Sequence, residues 1–508
     1  MNPLALFRAL VIYGICLPLA IYMGYLLATP QDRGTLLAVG MVLLALITPL
    51  LLRWYHPLLI LSWNLGAVLF FLPGQPQFWL AMAAMGVVVA MGQRAVSQEK
   101  KFLPALSVVV PLMFVIAVVI VTGMLTGGMG FRATGSGTYG GKRYLLLIGA
   151  VMGFFALISR RIPQKKVNRY AGLFFLSGVM SAISSTLTLV NPSFYFIFLI
   201  FPPDVTALQE ISSQAYSATM DTISRLSGVA FASQAMFLFL LSVFGIRRLI
   251  RNKWGFLLLL LSLALSLLGG FRSIVILLLA TFAMVFFFEG LVRSRVLPVM
   301  LVTIVLGGAI LIPFAREMPL SVQRSLSFLP LELDFAATGD AQGSTDWRLR
   351  IWRTLVPEVP RYLLLGKGYG INADEMEFIE SETRRGADTS ELALLAGDYH
   401  SGPFSVIIPL GIWGAIGVLW LMAASLRALY RNYLHGDAAL KQINTFLLAY
   451  YVVRVVFFFF VFGSFYSDLC VFTGLIGFSI SLNGGIKTPP PKTTPVVGFR
   501  KDRRMTPG

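Results

Sequence analysis

Cysteine is almost missing from this 508-residue chain. The two present, Cys16 and Cys470, each sit inside an apolar run, so no disulfide framework exists. Histidine is as scarce, with only His56, His400 and His435, and no paired Cys/His spacing suggests a metal site. There is no G-x-S-x-G elbow and no repeat of solenoid period. Charge is thin as well. Only 13% of residues are charged, against about 25% in an ordinary globular chain. What replaces them is apolar: 57% of the residues are hydrophobic, and mean hydropathy is +0.78. Soluble cores of ordinary size cannot hide that much apolar surface, and the same arithmetic excludes disordered, fibrous and disulfide-rich classes. The chain needs lipid as its solvent.

The apolar runs predict an all-α polytopic membrane protein of about 14 transmembrane helices. They fall at roughly 8–28, 34–52, 57–73, 77–92, 103–126, 144–160, 170–190, 226–246, 254–270, 273–291, 297–314, 402–424, 443–463 and 469–483. The first run follows Arg8 and lacks a clean small-x-small cleavage site, so a retained helix is expected there rather than a signal peptide. Phe194–Phe201 (FYFIFLIF) is too short to span and reads as re-entrant or interfacial.

With the N-terminus inside, about 25 of the Lys and Arg residues fall in cytoplasmic loops and about 6 in or beside short outside loops. Both termini are therefore expected in the cytoplasm. The excess of 41 basic over 23 acidic residues becomes an orientation signal, and nucleic acid is not an expected partner. The chain divides into N-terminal transmembrane helices (1–250), transmembrane helices carrying the first arginine motif (251–314), a long extracytoplasmic cap loop (315–400), C-terminal transmembrane helices (401–484) and a proline-rich basic tail (485–508). The tail is expected to be disordered against anionic lipid.

The 315–400 segment breaks the hydrophobic pattern, carrying 14 of the 23 acidic residues and 9 basic ones. It is expected to be partly helical. Asp346 reads as an N-cap before WRLRIWRTLVPEV, where Trp347, Ile351 and Leu355 form an apolar stripe, and Ser390–Ala396 reads as a second helix.

Four places could carry chemistry. Arg272, in LLGGFRSIVILLL, lies between two apolar runs, where it faces an anion or snorkels to headgroups. Arg348, Arg350 and Arg353 share one short helix with Trp347 and Trp352, a pattern that suits either docking onto lipid headgroups or gripping a lipid diphosphate. His400 immediately precedes an apolar helix, whose macrodipole favours the neutral imidazole a general base requires. Pro409 should bend that helix. His56 and His435 fall at the inside face, in a turn and a basic loop. Gly366–Gly370 (GKGYG) has neither the leading strand nor the Lys-Ser/Thr of a phosphate loop and reads as a tight turn. Glu332-x-Asp334 could be a metal pair.

Together these motifs resemble the bacterial O-antigen ligase and O-antigen polymerase superfamily over roughly residues 260–420. GFRS with Arg272 is similar to the family's Ser-Arg-small element. Arg348-x-x-x-Trp352 followed by LLLGKGYG is similar to its Arg…Trp…"PLLGxGxG" stretch. His400, followed by ten residues and then Gly411 with Gly414 beyond, is similar to its His-x10-Gly signature. Two positions depart from the pattern: Ser401 where the family often has Asn, and Phe271 where Ser or Thr is usual.

The resemblance implies a GT-C-type glycosyltransferase that is metal-independent, uses no cofactor and inverts configuration. It implies a place in the bacterial inner membrane with the active site at the periplasmic face. The implied donor is a glycan on undecaprenyl diphosphate, and the implied acceptor is lipid A–core or another lipid-linked glycan. Arg272 and Arg348 would stabilise the diphosphate and His400 would act as base, with Arg350, Arg353, Lys367 and Trp352 in substrate binding. A polysaccharide flippase or other secondary transporter is the alternative, suggested by the intramembrane charges Arg272, Glu289 and Arg454; a membrane scaffold is a third reading.

Overall fold

The computed structural model describes residues 13–14, 17–28, 33–70, 72, 74–96, 102–127, 138–183, 186, 192–202, 225–384 and 389–489. Helices dominate. The first half holds α1 (Leu17–Ala28), α2 (Arg33–Ser62), α3 (Phe78–Val96), α4 (Leu106–Leu125), α5 (Gly141–Leu157) and α6 (Val167–Phe175). The next group is α7 (Ser227–Arg251), α8 (Lys253–Ser266), α9 (Arg272–Phe288) and α10 (Val296–Leu311). The 315–400 segment contributes α11 (Leu320–Leu326), α12 (Phe335–Leu355), α13 (Val359–Tyr362), α14 (Ala373–Arg384) and α15 (Thr389–Ala396). The chain then returns through α16 (Gly402–His435), α17 (Lys441–Phe460) and α18 (Phe465–Asn483).

Six helices among the described residues are long and apolar enough to cross a membrane: α3, α4, α7, α16, α17 with the turn before it, and α18. Shorter apolar helices cover Lys253–Gly269, Arg272–Phe288 and Val296–Ala309. The expected spans at 34–52 and 57–73 are not two helices. α2 runs through both Pro49 and Pro57 to Ser62, and the described residues from Trp63 to Gln77 form no helix and only one bridge, between Val68 and Gln77. Gly66 and Gly74, both at positive φ, turn the chain there. The expected span at 170–190 starts as α6 and tightens into a 3-10 helix at Leu176–Met180. Phe194–Phe201 also forms a 3-10 helix, Pro192–Leu199. At a rise of about 2 Å per residue, eight residues cannot span a bilayer. The start of the first expected span and most of the tail lie outside the described residues.

The core sits where α5, α17 and α18 meet. Phe174 and Phe478 stack with centroids 4.8 Å apart, and Phe154, Tyr144, Phe446 and Tyr451 are fully buried. Small residues let these helices close up: a Cβ on either Gly153 or Gly474 would run into the Trp63 indole.

Two helices are broken at glycines, and each break is caught by another segment. In α16 the break is at Gly411 (φ 66°, ψ −164°), two residues after the Pro409 expected to bend it. The Leu363–Gly370 strip lies against it: the Lys367 amide donates to Ile408 O (2.7 Å), Gly368 to Pro409 O (2.9 Å), and the Ile412 amide donates to Leu363 O (2.6 Å). A proline and a glycine free these backbone groups, and the GKGYG strip satisfies them. In α7 the break is at Gly245. Glu289 closes it, its carboxylate accepting from the amides of Ile246 (2.9 Å) and Arg247 (3.1 Å).

The 315–400 segment packs where α9 and α16 begin. Its small core, Ile351, Leu355 and Tyr399, is shared with Ile408 of α16. A two-residue antiparallel ladder, β1 (Thr138–Tyr139) with β2 (Ile371–Asn372), ties it to the start of α5. The helix expected to begin after Asp346 starts twelve residues earlier. Asp334 is its N-cap and accepts from the Ala336 amide, so Asp346 lies in the helix interior.

Candidate functional site

A left-handed turn starts the site. Gly270 (φ 65°) ends the 3-10 turn after α8, and extended Phe271 follows, so that Arg272 becomes the first residue of α9. Its guanidinium Nη2 donates to Ala341 O (2.7 Å) and Thr345 Oγ1 (3.1 Å), both on α12. Arg348 follows Thr345 by three residues, one turn further along that helix. Arg324, buried in α11, donates from Nε to Asp340 and from Nη1 to Gly270 O, clamping the turn to α12. Arg225 also reaches Asp340, at 2.9 Å. Burial first, then the charges of Arg272 and Arg324, lowers the pKa of Arg348 from its ordinary value; an arginine remains protonated through such a shift. Asp340 thus pairs with both Arg225 and Arg324, and the arginines around this turn concentrate positive charge at one place.

His400 lies at the end of the cap segment in a left-handed conformation (φ 47°), uncommon for a residue with a Cβ. Its Nε2 is 3.1 Å from Asp398 Oδ2. In a neutral ring that partner holds the proton on Nε2 and leaves the Nδ1 lone pair available. Burial would raise the Asp398 pKa, but the hydrogen bond and charge of His400, with Arg143 behind them, hold it below the usual carboxylate value. The imidazole packs edge-on against Trp347 (centroids 4.7 Å) and against Phe462 (5.4 Å). The Arg348 guanidinium lies 5.8 Å from the same Phe462 ring. Thus Arg272, Arg348 and His400, separated by up to 128 positions in the sequence, converge around α12 and the α17–α18 turn.

Other candidates lie elsewhere. The apolar stripe of α12 turns toward Tyr399 and Ile408, so α12 packs on the protein rather than presenting that stripe to a membrane surface. Arg350 and Arg353 consequently fall on its exposed side. Trp352 packs into the small core. Lys367 donates to Leu394 O (3.2 Å), tying the GKGYG strip to α15. The amides from Gly366 to Tyr369 all have protein acceptors, the last being the Tyr144 hydroxyl, so the strip is a structural turn and not a phosphate cradle. Glu332 pairs with Arg316 (3.1 Å) and Asp334 caps α12. No cluster of three metal-ligating side chains occurs among the described residues. His56, expected in a turn, is buried inside α2 with Nε2 3.0 Å from Leu157 O, a structural tie to α5.

Beside the 396–400 segment lies a cavity of about 660 Å³, lined in part by Trp63, Gln77, Trp79, Arg143 and Tyr466. Arg143 connects the two, donating to Ala396 O at 2.6 Å and stacking over Tyr466. Arg143, Arg324, Asp340 and Asp398 were not among the sequence candidates. A carboxylate two residues before a candidate histidine is the one local signal that could have been used; the others depend on long-range contacts. No protein-family model and no curated protein matches this chain.

Proposed function

We propose that this protein is a membrane glycosyltransferase of the O-antigen ligase or polymerase kind. It moves a glycan from undecaprenyl diphosphate to an acceptor sugar hydroxyl at the periplasmic face of the bacterial inner membrane. The observation that carries this reading is the convergence of Arg272, Arg324 and Arg348 beside an Asp398-supported His400, across the Phe462 ring.

The chemistry follows from the charges. The acceptor oxygen attacks the anomeric carbon as the bond from that carbon to the diphosphate oxygen breaks. The bonding pair leaves on the diphosphate, where fixed guanidiniums stabilise the growing charge. The acceptor proton goes to His400 Nδ1, giving inversion by a single displacement. Asp398 holds the ring and balances the imidazolium that forms. The cavity beside Arg143, with its indole faces and amide groups, suits the sugar portion of the acceptor.

The transporter alternative drew on intramembrane charges, and these have structural partners. Glu289 closes the α7 break, and Arg454 pairs with Asp468 at 2.6 Å.

Purified protein in lipid, given an undecaprenyl-diphosphate glycan and an acceptor glycolipid, should produce transferred glycan. His400→Ala and Arg348→Ala should cut the rate by about 10²–10⁴-fold while folding normally. Variants that fold and transfer at the parent rate would remove the mechanism. Deleting the protein from its host, followed by gel analysis of envelope glycans, separates a ligase (capping lost, free polymer accumulating) from a polymerase (single-repeat capping).

A further inference from the structure

A second site lies far from His400, near the C-terminal end of α16, the helix that follows it, and does not depend on the transfer reading. Where α4 and α16 run side by side, a groove of about 350 Å³ opens between them. Gly417 makes the close approach possible, since a Cβ there would press on Phe114 and Val115 of α4. Trp420 packs beside Phe114 at one end of the contact (centroids 6.0 Å) and is itself 45% exposed. Below it, Ala424 and Ala428 make a floor of small side chains, and Arg427 and Arg431 project one turn apart, with the Ser107 hydroxyl across from α4.

Neither Arg427 nor Arg431 has a hydrogen bond, ion pair or ring contact with protein among the described residues, and no carboxylate lines the groove. This contrasts with the opposite end of the fold, where Arg143, Arg272 and Arg324 are all engaged by protein. Two adjacent guanidiniums left without an anion, held at the end of an apolar groove, call for a ligand that is anionic at one end and hydrocarbon at the other. Both walls are helices long and apolar enough to cross a membrane, and Trp420 lies about 16 Å along the helix from Arg431. The indole thus sits beside the space that acyl chains would take when a phosphate rests on the arginines. Loop charge places this end at the cytoplasmic leaflet.

We propose that the groove between α4 and α16 is a binding site for one anionic phospholipid, its phosphodiester held by Arg427 and Arg431 and its chains lying along Ala424 and Trp420. Pockets that are basic at the cytoplasmic ends of membrane helices suit such headgroups.

The test uses the full-length, delipidated protein in neutral detergent, titrated with phosphatidylglycerol and followed by native mass spectrometry. Parent protein should retain phosphatidylglycerol in preference to zwitterionic phosphatidylethanolamine. The Arg427→Gln/Arg431→Gln variant should bind it about tenfold or more weakly, as expected for loss of charge-assisted hydrogen bonds. Arg427→Lys/Arg431→Lys, which keeps the charge, should retain most of the affinity. Ala424→Phe, which fills the groove and leaves both charges, should weaken binding too; it serves if the double glutamine variant fails to fold. Millimolar inorganic phosphate should not displace the lipid. Phosphatidylglycerol affinity within twofold of the parent in a folded glutamine or phenylalanine variant would overturn the proposal. So would equal retention of phosphatidylethanolamine, or displacement by phosphate alone, which would mark a site for the free ion.

Discussion

The two ends of this helix bundle treat polar groups in opposite ways. At the end away from the cap, buried polar side chains satisfy one another. Asn444 Nδ2 donates to Asn432 O and Asn483 Oδ1 (both 3.0 Å), Asn483 Nδ2 returns a bond to Asn444 Oδ1 (2.8 Å), and Asn432 reaches Ser479 (3.1 Å). His56 and Ser481 join the loop after α5 to α18 in the same manner. Glu289 closes the break in α7 at the same end, while the exposed Arg427 and the half-buried Arg431 there stay outside this network. At the cap end, guanidiniums are drawn together against their mutual repulsion, and a histidine is held at positive φ. A fold that can satisfy its polar groups at one end does not gather like charges at the other without a use for them. The first pattern stabilises a fold; in the proposed mechanism the second receives the diphosphate.

That contrast can be broken by exchanging the outcomes of two substitutions. Arg348→Ala should reduce glycan transfer by about 10²–10⁴-fold with little change in thermal stability. Asn444→Leu should do the reverse. It strands the Asn483 and Asn432 groups in a dry interior, costing about 2–3 kcal/mol, while transfer per folded molecule stays near the parent's. Unfolding midpoints and initial rates on the same preparations decide the matter, and a stability loss in Arg348→Ala matching that of Asn444→Leu would erase the distinction.

Asp398→Asn should have an intermediate effect, about ten- to hundredfold on transfer, because the ring loses its orienting partner but keeps its nucleus of contacts with Trp347 and Phe462. Its pH signature sharpens the assignment. The folded-state pKa of Asp398 is depressed. Its contribution to stability is therefore fully present above the ordinary carboxylate value of about 3.9 and is lost as pH falls through the lower folded value. The stability gap between parent and Asp398→Asn should close in strong acid, below the ordinary carboxylate value; a gap that persists unchanged there would mean the ionised carboxylate is not its source.

The smallest effect is expected at Arg353, exposed on α12. Arg353→Gln should transfer within about twofold of the parent, and a large loss would extend the proposed diphosphate contact along the outer side of that helix.

Much of this was legible in the sequence, for reasons that mark where legibility ends. Composition and long apolar runs report solvent, and they announced a helical membrane protein. A lone Arg272 between apolar runs and a His400 just ahead of an apolar helix were visible because each violates its local pattern. Helix ends were less visible. α2 passes through Pro57, whose lost backbone bond is outweighed by burial of Tyr55, Leu59 and Ile60 around it. Likewise Asp334 captured the start of α12 from Asp346, since a cap is chosen by the whole helix and not by the nearest apolar stripe. Arg324 and Asp340 were out of reach, because their meaning lies in each other and in Gly270, 54 residues before Arg324.

The central claim is that Arg348 and His400 act on one reacting centre. The direct test is a double-mutant cycle on transfer rate with Arg348→Ala, His400→Ala and the combined variant, all shown to fold. A shared centre predicts that the combined variant is little slower than the worse single one, because groups acting in concert are not additive. Losses that multiply, as for two independent sites, would contradict it.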